Sequence, residues 1–128
     1  MLTNAQATAA VARAIDAGTA QGVAVVAVAT DLAGNGFAVQ RMDGVAAIHF
    51  DVARKKALCA ASFAMPTHEF VDAISRDPLA KAVIMNDQTI NVLPGGMPLL
   101  DGGAPFGAIG VAGGYHLQDR AIAEFAAG

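Results

Sequence analysis

The chain has 128 residues, a formal net charge of −3, 55% hydrophobic residues and only 15% charged ones. With no basic patch and no tryptophan, the composition argues against nucleic acid as a partner. No apolar run reaches the ~18 residues that suggest a membrane span, and no signal peptide is evident at the N-terminus. Residues 1–128 are expected to form a single domain. One cysteine cannot form an internal disulfide, so a cytoplasmic, reducing setting is expected. A small chain this poor in charge has difficulty covering its own surface, which predicts a homo-oligomer, at least a dimer.

Thr3 or Asn4 can cap a first helix that runs to about Ala17, ending at Gly18 to Gly22. Gly22 to Thr30 is rich in valine and strand-like. Asp31-Leu-Ala-Gly-Asn-Gly36 reads as a hairpin turn, and Phe37 to Met42 as the returning strand. A second helix is predicted from about His49 to Ala64, with Phe50, Ala53, Ala57, Ala60, Ala61 and Ala64 inward. Asp51 stands four residues before Lys55, a favourable helical pairing. Pro66 stops that helix, and Thr67 caps a short one carrying Phe70, Val71 and Ile74 inward until Asp77-Pro78 breaks it. Ala82 to Met85, Gln88 to Leu93, Leu99-Leu100 and Phe106 to Ala112 are strand-like. A last helix from about His116 should place Leu117, Ala121, Ile122 and Phe125 on one face. This order is α+β, with an antiparallel sheet covered by helices.

The glycines of the last third are distinctive. Gly95-Gly96 and Gly113-Gly114 stand beside short apolar runs, and the second pair precedes the closing helix. Backbone N–H groups at such positions can approach an anion closely, or the glycines can simply form tight turns. No Lys-Ser/Thr follows to make a phosphate loop, and the chain is too short beyond them for a dinucleotide-binding unit.

Arg41, Asp43 and Lys55 form the first candidate cluster. The two cations could hold a ligand carboxylate, or Arg41 could pair with Asp43 to fix a turn. Asp119 in the first turn of the last helix suits the helix dipole and would repel an anion bound there. The three histidines, His49, His68 and His116, are possible metal ligands but show no zinc spacing; His49 and His116 stand beside the motifs quoted below, and the family resemblance those motifs carry implies them as the candidate haem-iron ligands. Cys59 among alanines reads as a buried apolar residue. Met42, Met65, Met85 and Met97 could fill the core or line a cofactor pocket. No Ser-His-Asp grouping is visible.

Leu93-Pro-Gly-Gly-Met-Pro-Leu99, Gly107-Ala-Ile-Gly-Val-Ala-Gly-Gly114 and Gln118-Asp-Arg-Ala-Ile-Ala123 together resemble the GlcG/HbpS family, which includes the C-terminal domain of PduO. Asp31-Leu-Ala-Gly34, Arg41-Met-Asp-Gly44 and Ala53-Arg-Lys-Lys-Ala57 fit the same family in the same order. The resemblance implies an α/β/α sandwich with a five-stranded antiparallel sheet of profilin-like type. It also implies an oligomeric, cytoplasmic small-ligand-binding protein, with haem or a small carboxylated molecule as ligand. Its site would comprise Arg41, Asp43, His49, Lys55, Gly95, Gly96, Gly113, Gly114 and His116. The alternative is a small catabolic enzyme, an isomerase, hydrolase or deaminase-like accessory, acting on a small organic acid. Asp43 or His49 would then be the general acid/base.

Overall fold

The computed structural model describes every residue, Met1–Gly128. Nine elements follow in chain order: α1 (Asn4–Gln21), β1 (Val26–Thr30), β2 (Gly36–Arg41), α2 (Ile48–Phe63), α3 (Thr67–Ile74), α4 (Pro78–Met85), β3 (Gly96–Asp101), β4 (Ala104–Ala112) and α5 (His116–Ala127). The sheet is antiparallel throughout, in the order β2-β1-β4-β3. It is built from two hairpins joined through β1 and β4.

Each hairpin closes on side-chain or glycine chemistry. The Asp31 carboxylate accepts the N–H groups of Ala33 and Asn35 and the Asn35 side-chain amide. These contacts hold its pKa below the usual value, the Asn35 side chain first among them. Between β3 and β4 the two-residue turn Gly102-Gly103 has positive φ at both positions, 56° and 85°, the backbone a tight hairpin matched to strand twist demands.

Helices cover both faces. Val25, Ala27, Ala29, Ile109, Val111 and Leu99 face α1 and α5, whose Ala7, Ala10, Val11, Ala14, Ile122, Ala123 and Ala126 complete the larger core. On the opposite face, Val26, Val28 and Ala112 meet Val45 and Ala53, and Ala108 meets Ala60 and Ala61. Here α2 crosses β1, β4 and β3. The crossing is close because both sides are small: a Cβ at Gly110 would overlap the Ala53 carbonyl oxygen and lie 2.7 Å from the Ala57 nitrogen. Thr3 begins α1 with a reciprocal capping box to Gln6, and Gly22 ends it in the left-handed conformation. No helix is long and apolar enough to cross a membrane.

The sheet has four strands rather than the expected five. Ala82 to Met85 is helical, not extended. Asp77 accepts the N–H groups of Leu79 and Ala80 and Pro78 occupies the first turn, so Asp77-Pro78 starts α4 as well as ending α3. Gln88 to Leu93 forms no strand, because Asp87 and Asn91 turn the chain by accepting the N–H groups of Thr89 and Leu93. Phe50, Leu117 and Phe125, expected inward, are exposed. On α5 the inward positions are Asp119, Ile122, Ala123 and Ala126.

Gly110→Ala should destabilise the fold by about 1–3 kcal/mol, since the helix backbone has no slack to yield. Gly36→Ala, which meets nothing within 4 Å, should stay within about 0.5 kcal/mol. Denaturant melts of the two variants check this, and equal stability would show that α2 can move off the sheet.

Candidate functional site

Along α2, Ala53, Lys56, Ala57 and Ala60 share the face pressed on the sheet. A lysine in that stripe is unusual, and Lys56 is only 1% exposed. Its ammonium donates to the Val111 carbonyl at 2.8 Å and to Asp119 Oδ2 at 3.1 Å. Asp119, 3% exposed, accepts the Gly114 N–H on Oδ1 at 2.9 Å. Burial pushes the Asp119 carboxyl up, while Lys56, the Gly114 N–H and the charge of His49 hold it down. Burial likewise lowers Lys56 against the raising effect of Asp119. Asp119 is therefore more than a helix-dipole partner: its carboxylate turns inward and ties α5 to α2 and β4.

The neighbour Lys55, chosen from sequence, pairs instead with Asp51 at 2.9 Å on the solvent side of α2. Its backbone carbonyl accepts the Asn91 N–H at 3.3 Å, which places it by the segment leading into β3, away from the β2 edge that carries Arg41.

The glycine pairs approach the protein itself. A Cβ at Gly95 would lie 2.9 Å from Lys56 Nζ and 3.1 Å from Asp119 Cβ. At Gly113 it would meet the Ala24 carbonyl and Val45. The N–H of Gly96 donates to Thr67 Oγ1 at 3.0 Å, and that of Gly114 is taken by Asp119. These two donors are engaged within the chain.

Several of these candidate residues lie toward one end of the sheet. Register aligns Arg41 with Val26 and Val26 with Ala112, so Arg41 lies at the same end as Gly113-Gly114 and the start of α5. Arg41 Nη2 donates to the Val45 carbonyl at 2.7 Å. Arg41 forms no ion pair with Asp43, which is exposed and makes no side-chain hydrogen bond. His49, half-buried in the first turn of α2, is close enough to act on Asp119 electrostatically. His116 stands one turn before Asp119, its ring 4.2 Å from that of Tyr115. Its Nδ1 is buried without a partner, which leaves Nε2 as the open nitrogen. Around the two histidines, Ile48 is 70% exposed, and Tyr115 and Leu117 are also bare.

The remaining candidates lie elsewhere. His68 is on α3, beside the Thr67 that holds Gly96. No three His, Cys, Asp or Glu side chains converge as a metal site would require. Cys59 is buried and its thiol is pushed up to about 12, chiefly by burial. Met42 and Met97 pack on the larger core and Met65 on the cluster around Cys59. Met85 lines a cleft of about 360 Å³ between α3, α4 and residues 87–94. A second cleft, of about 310 Å³, lies between Leu2, Asp31 to Ala33 and Phe106. Neither is lined by Arg41, His49 or His116.

A helix-covered antiparallel sheet with a buried lysine–aspartate pair under two histidine-bearing helix starts defines a compact α+β domain class. The chain belongs to the HbpS-like family, described as "Haem degrading protein HbpS-like", whose model matches residues 2–127. An uncharacterised 15.0 kDa protein from the dhaT–dhaS intergenic region of Citrobacter freundii is 37% identical over 105 residues, 81% of this chain and 74% of that protein. The crystal structure of the Klebsiella pneumoniae protein ORFY superposes with a TM-score of 0.89 at 31% identity, covering 98% of this chain and 88% of that one. A double mutant of Streptomyces reticuli HbpS gives a TM-score of 0.87 at 32% identity, covering 98% and 84%. The crystal structure of a PduOC–heme complex gives a TM-score of 0.87 at 25% identity, covering 98% and 92%.

Lys56→Met should cost about 3–5 kcal/mol of stability, because it strands a buried carboxylate. Lys56→Met/Asp119→Leu should recover part of that loss. Urea melts provide the comparison, and losses that simply add would show that the two groups do not act as a unit. Cys59 should not react with a thiol reagent at pH 8 until the chain is unfolded. A group titrating near 12 is about one part in ten thousand thiolate there. Labelling of the native protein at the rate of a free thiol would contradict its burial.

Proposed function

We propose that this chain binds a small ligand, with haem the first candidate and another small carboxylated molecule the second, on the face where Arg41, His49 and His116 gather. The observation that carries the reading is the pair of half-buried histidines flanked by bare Ile48, Tyr115 and Leu117 at the end of the sheet that carries Arg41. An imidazole beside apolar surface suits a flat, hydrophobic iron complex, and a guanidinium suits its carboxylates.

The residues present fit haem in donor chemistry. His116, with Nδ1 buried and Nε2 open, or His49 would hold the iron, and Arg41 a propionate. Bound there, haem would supply a redox-active iron. One copy supplies no enclosing slot, since the two clefts are lined by other residues. A second copy laid over Ile48, Tyr115 and Leu117 would close the face, in keeping with the expected homo-oligomer. The family description and the heme complex of the PduO domain support the same reading. A single buried thiol suits a reducing, cytoplasmic setting. Catalysis on a small organic acid has less support, because nothing in the chain orients Asp43.

Titration with haemin should give a sharp Soret band that saturates, and native mass spectrometry should show at least a dimer. His116→Ala or His49→Ala should shift the band. Two variants with the wild-type spectrum would rule out both ligands, and a broad free-haemin spectrum for the wild type would sink haem itself. Arg41→Gln should weaken binding of the carboxylated ligand by roughly 1.5–3 kcal/mol. It should lower folding stability by less than about 1 kcal/mol, through the lost bond to Val45. Melting and binding curves on one preparation separate the two effects, and unchanged affinity would remove Arg41 from the site.

A further inference from the structure

The least buried helix of the fold is also among its most apolar. In α4, Pro78–Met85, Lys81 is the only charged residue, yet no side chain of the helix is buried. Leu79 and Val83 are 75% and 63% exposed. The helix rests on α3, its main packing partner. Its inner side, Ile84 and Met85, forms one wall of the 360 Å³ cleft, which Val71, Ile90 and Val92 floor and Asp87 and Asn91 border. An apolar wall left wet in this way gains when something fills the cleft.

The polar groups at the border set the charge of the occupant. Thr89 uses one oxygen of Asp87, through both its N–H and its hydroxyl. The other oxygen has no partner, and no lysine, arginine or histidine of the chain pairs with Asp87. Asn91 accepts the Leu93 N–H with its oxygen, and its side-chain amide nitrogen makes no hydrogen bond. Asp87 is ionised, since the bonds from Thr89 lower its pKa. The carboxylate is solvent-exposed and stands at the border of the cleft.

We propose that the cleft between α3, α4 and residues 87–94 is a second binding site, for a small organic cation with a hydrophobic body of about one ring and a protonated amine. The body fills the space between Val71, Ile84, Ile90 and Val92, and the ammonium pairs with the free oxygen of Asp87. A volume near the lower end of the usual range for ligand pockets limits the occupant to that size. An anion is disfavoured because Asp87 is the only ionisable residue of the lining. The site is separate from the histidine face, and its occupancy does not depend on what binds there.

The test is amide-resolved NMR of the full chain with 2-phenylethylamine, protonated at pH 7, and its neutral analogue 2-phenylethanol. The amine should produce saturable shifts centred on Val71, Ile84, Ile90 and Val92, with His49 and His116 unmoved. It should bind at least fivefold tighter than the alcohol. Asp87→Asn keeps an oxygen for Thr89, so it should melt as wild type while the preference for the amine falls below twofold. Equal affinity for the two probes, or an undiminished preference in Asp87→Asn, overturns the proposal. So do the absence of saturable shifts at the cleft and cleft resonances that move with protein concentration alone, which would mean that a second copy fills it.

Discussion

One buried ion pair organises this fold. Lys56 and Asp119 come from different helices 63 residues apart, and neither charge has water to fall back on. Their arrangement is over-determined. The ammonium is shared with a strand carbonyl, the carboxylate with a turn amide, and a glycine at position 95 leaves room for both. Such a pair adds little net stability over an apolar substitute, but it penalises every arrangement in which one partner arrives without the other. It fixes the rotation of α2, the start of α5 and the end of β4 together.

The face proposed for the ligand follows from that constraint. Because Asp119 must reach inward to Lys56, the first turn of α5 is tied to α2 through that one contact, and His116 and Tyr115 are carried to the same end of the molecule as His49. The small residues at the crossing, with Ala53 and Ala57 over Gly110, bring α2 down on the sheet at that end. The residues at this end thus divide in two: Gly95, Gly114, Lys56 and Asp119 build the support, while Arg41, His49 and His116, the residues proposed for the ligand, stand at its edge.

Much of this was legible in the sequence. Thr3 announced α1, the Asp31 turn announced the first hairpin, and Asp51 correctly chose Lys55 as its surface partner. The error lay one residue on. Lys56 shares a helical stripe with Ala53, Ala57 and Ala60, and periodicity alone would have turned it inward. The general exposure of lysine concealed it, since its partner lies in a distant helix. The short run Ala82 to Met85 was misread because four apolar residues fit strand or helix equally. Asp77-Pro78, read as a stop, was also the start signal that decides the matter. Tight glycine pairs look alike in sequence whether a ligand or a lysine fills the space beside them.

The pair also bears on the sequence of events during synthesis. The ribosome releases α2 long before α5, so Lys56 emerges with no carboxylate to receive it. Until Asp119 appears, laying α2 on the sheet would bury a lone ammonium, which disfavours docking of that helix. The central pairing of β1 with β4 waits as well, for a strand that ends at Ala112. Docking of α2 and closure of the central β1–β4 pairing are therefore expected to wait until α5 has emerged.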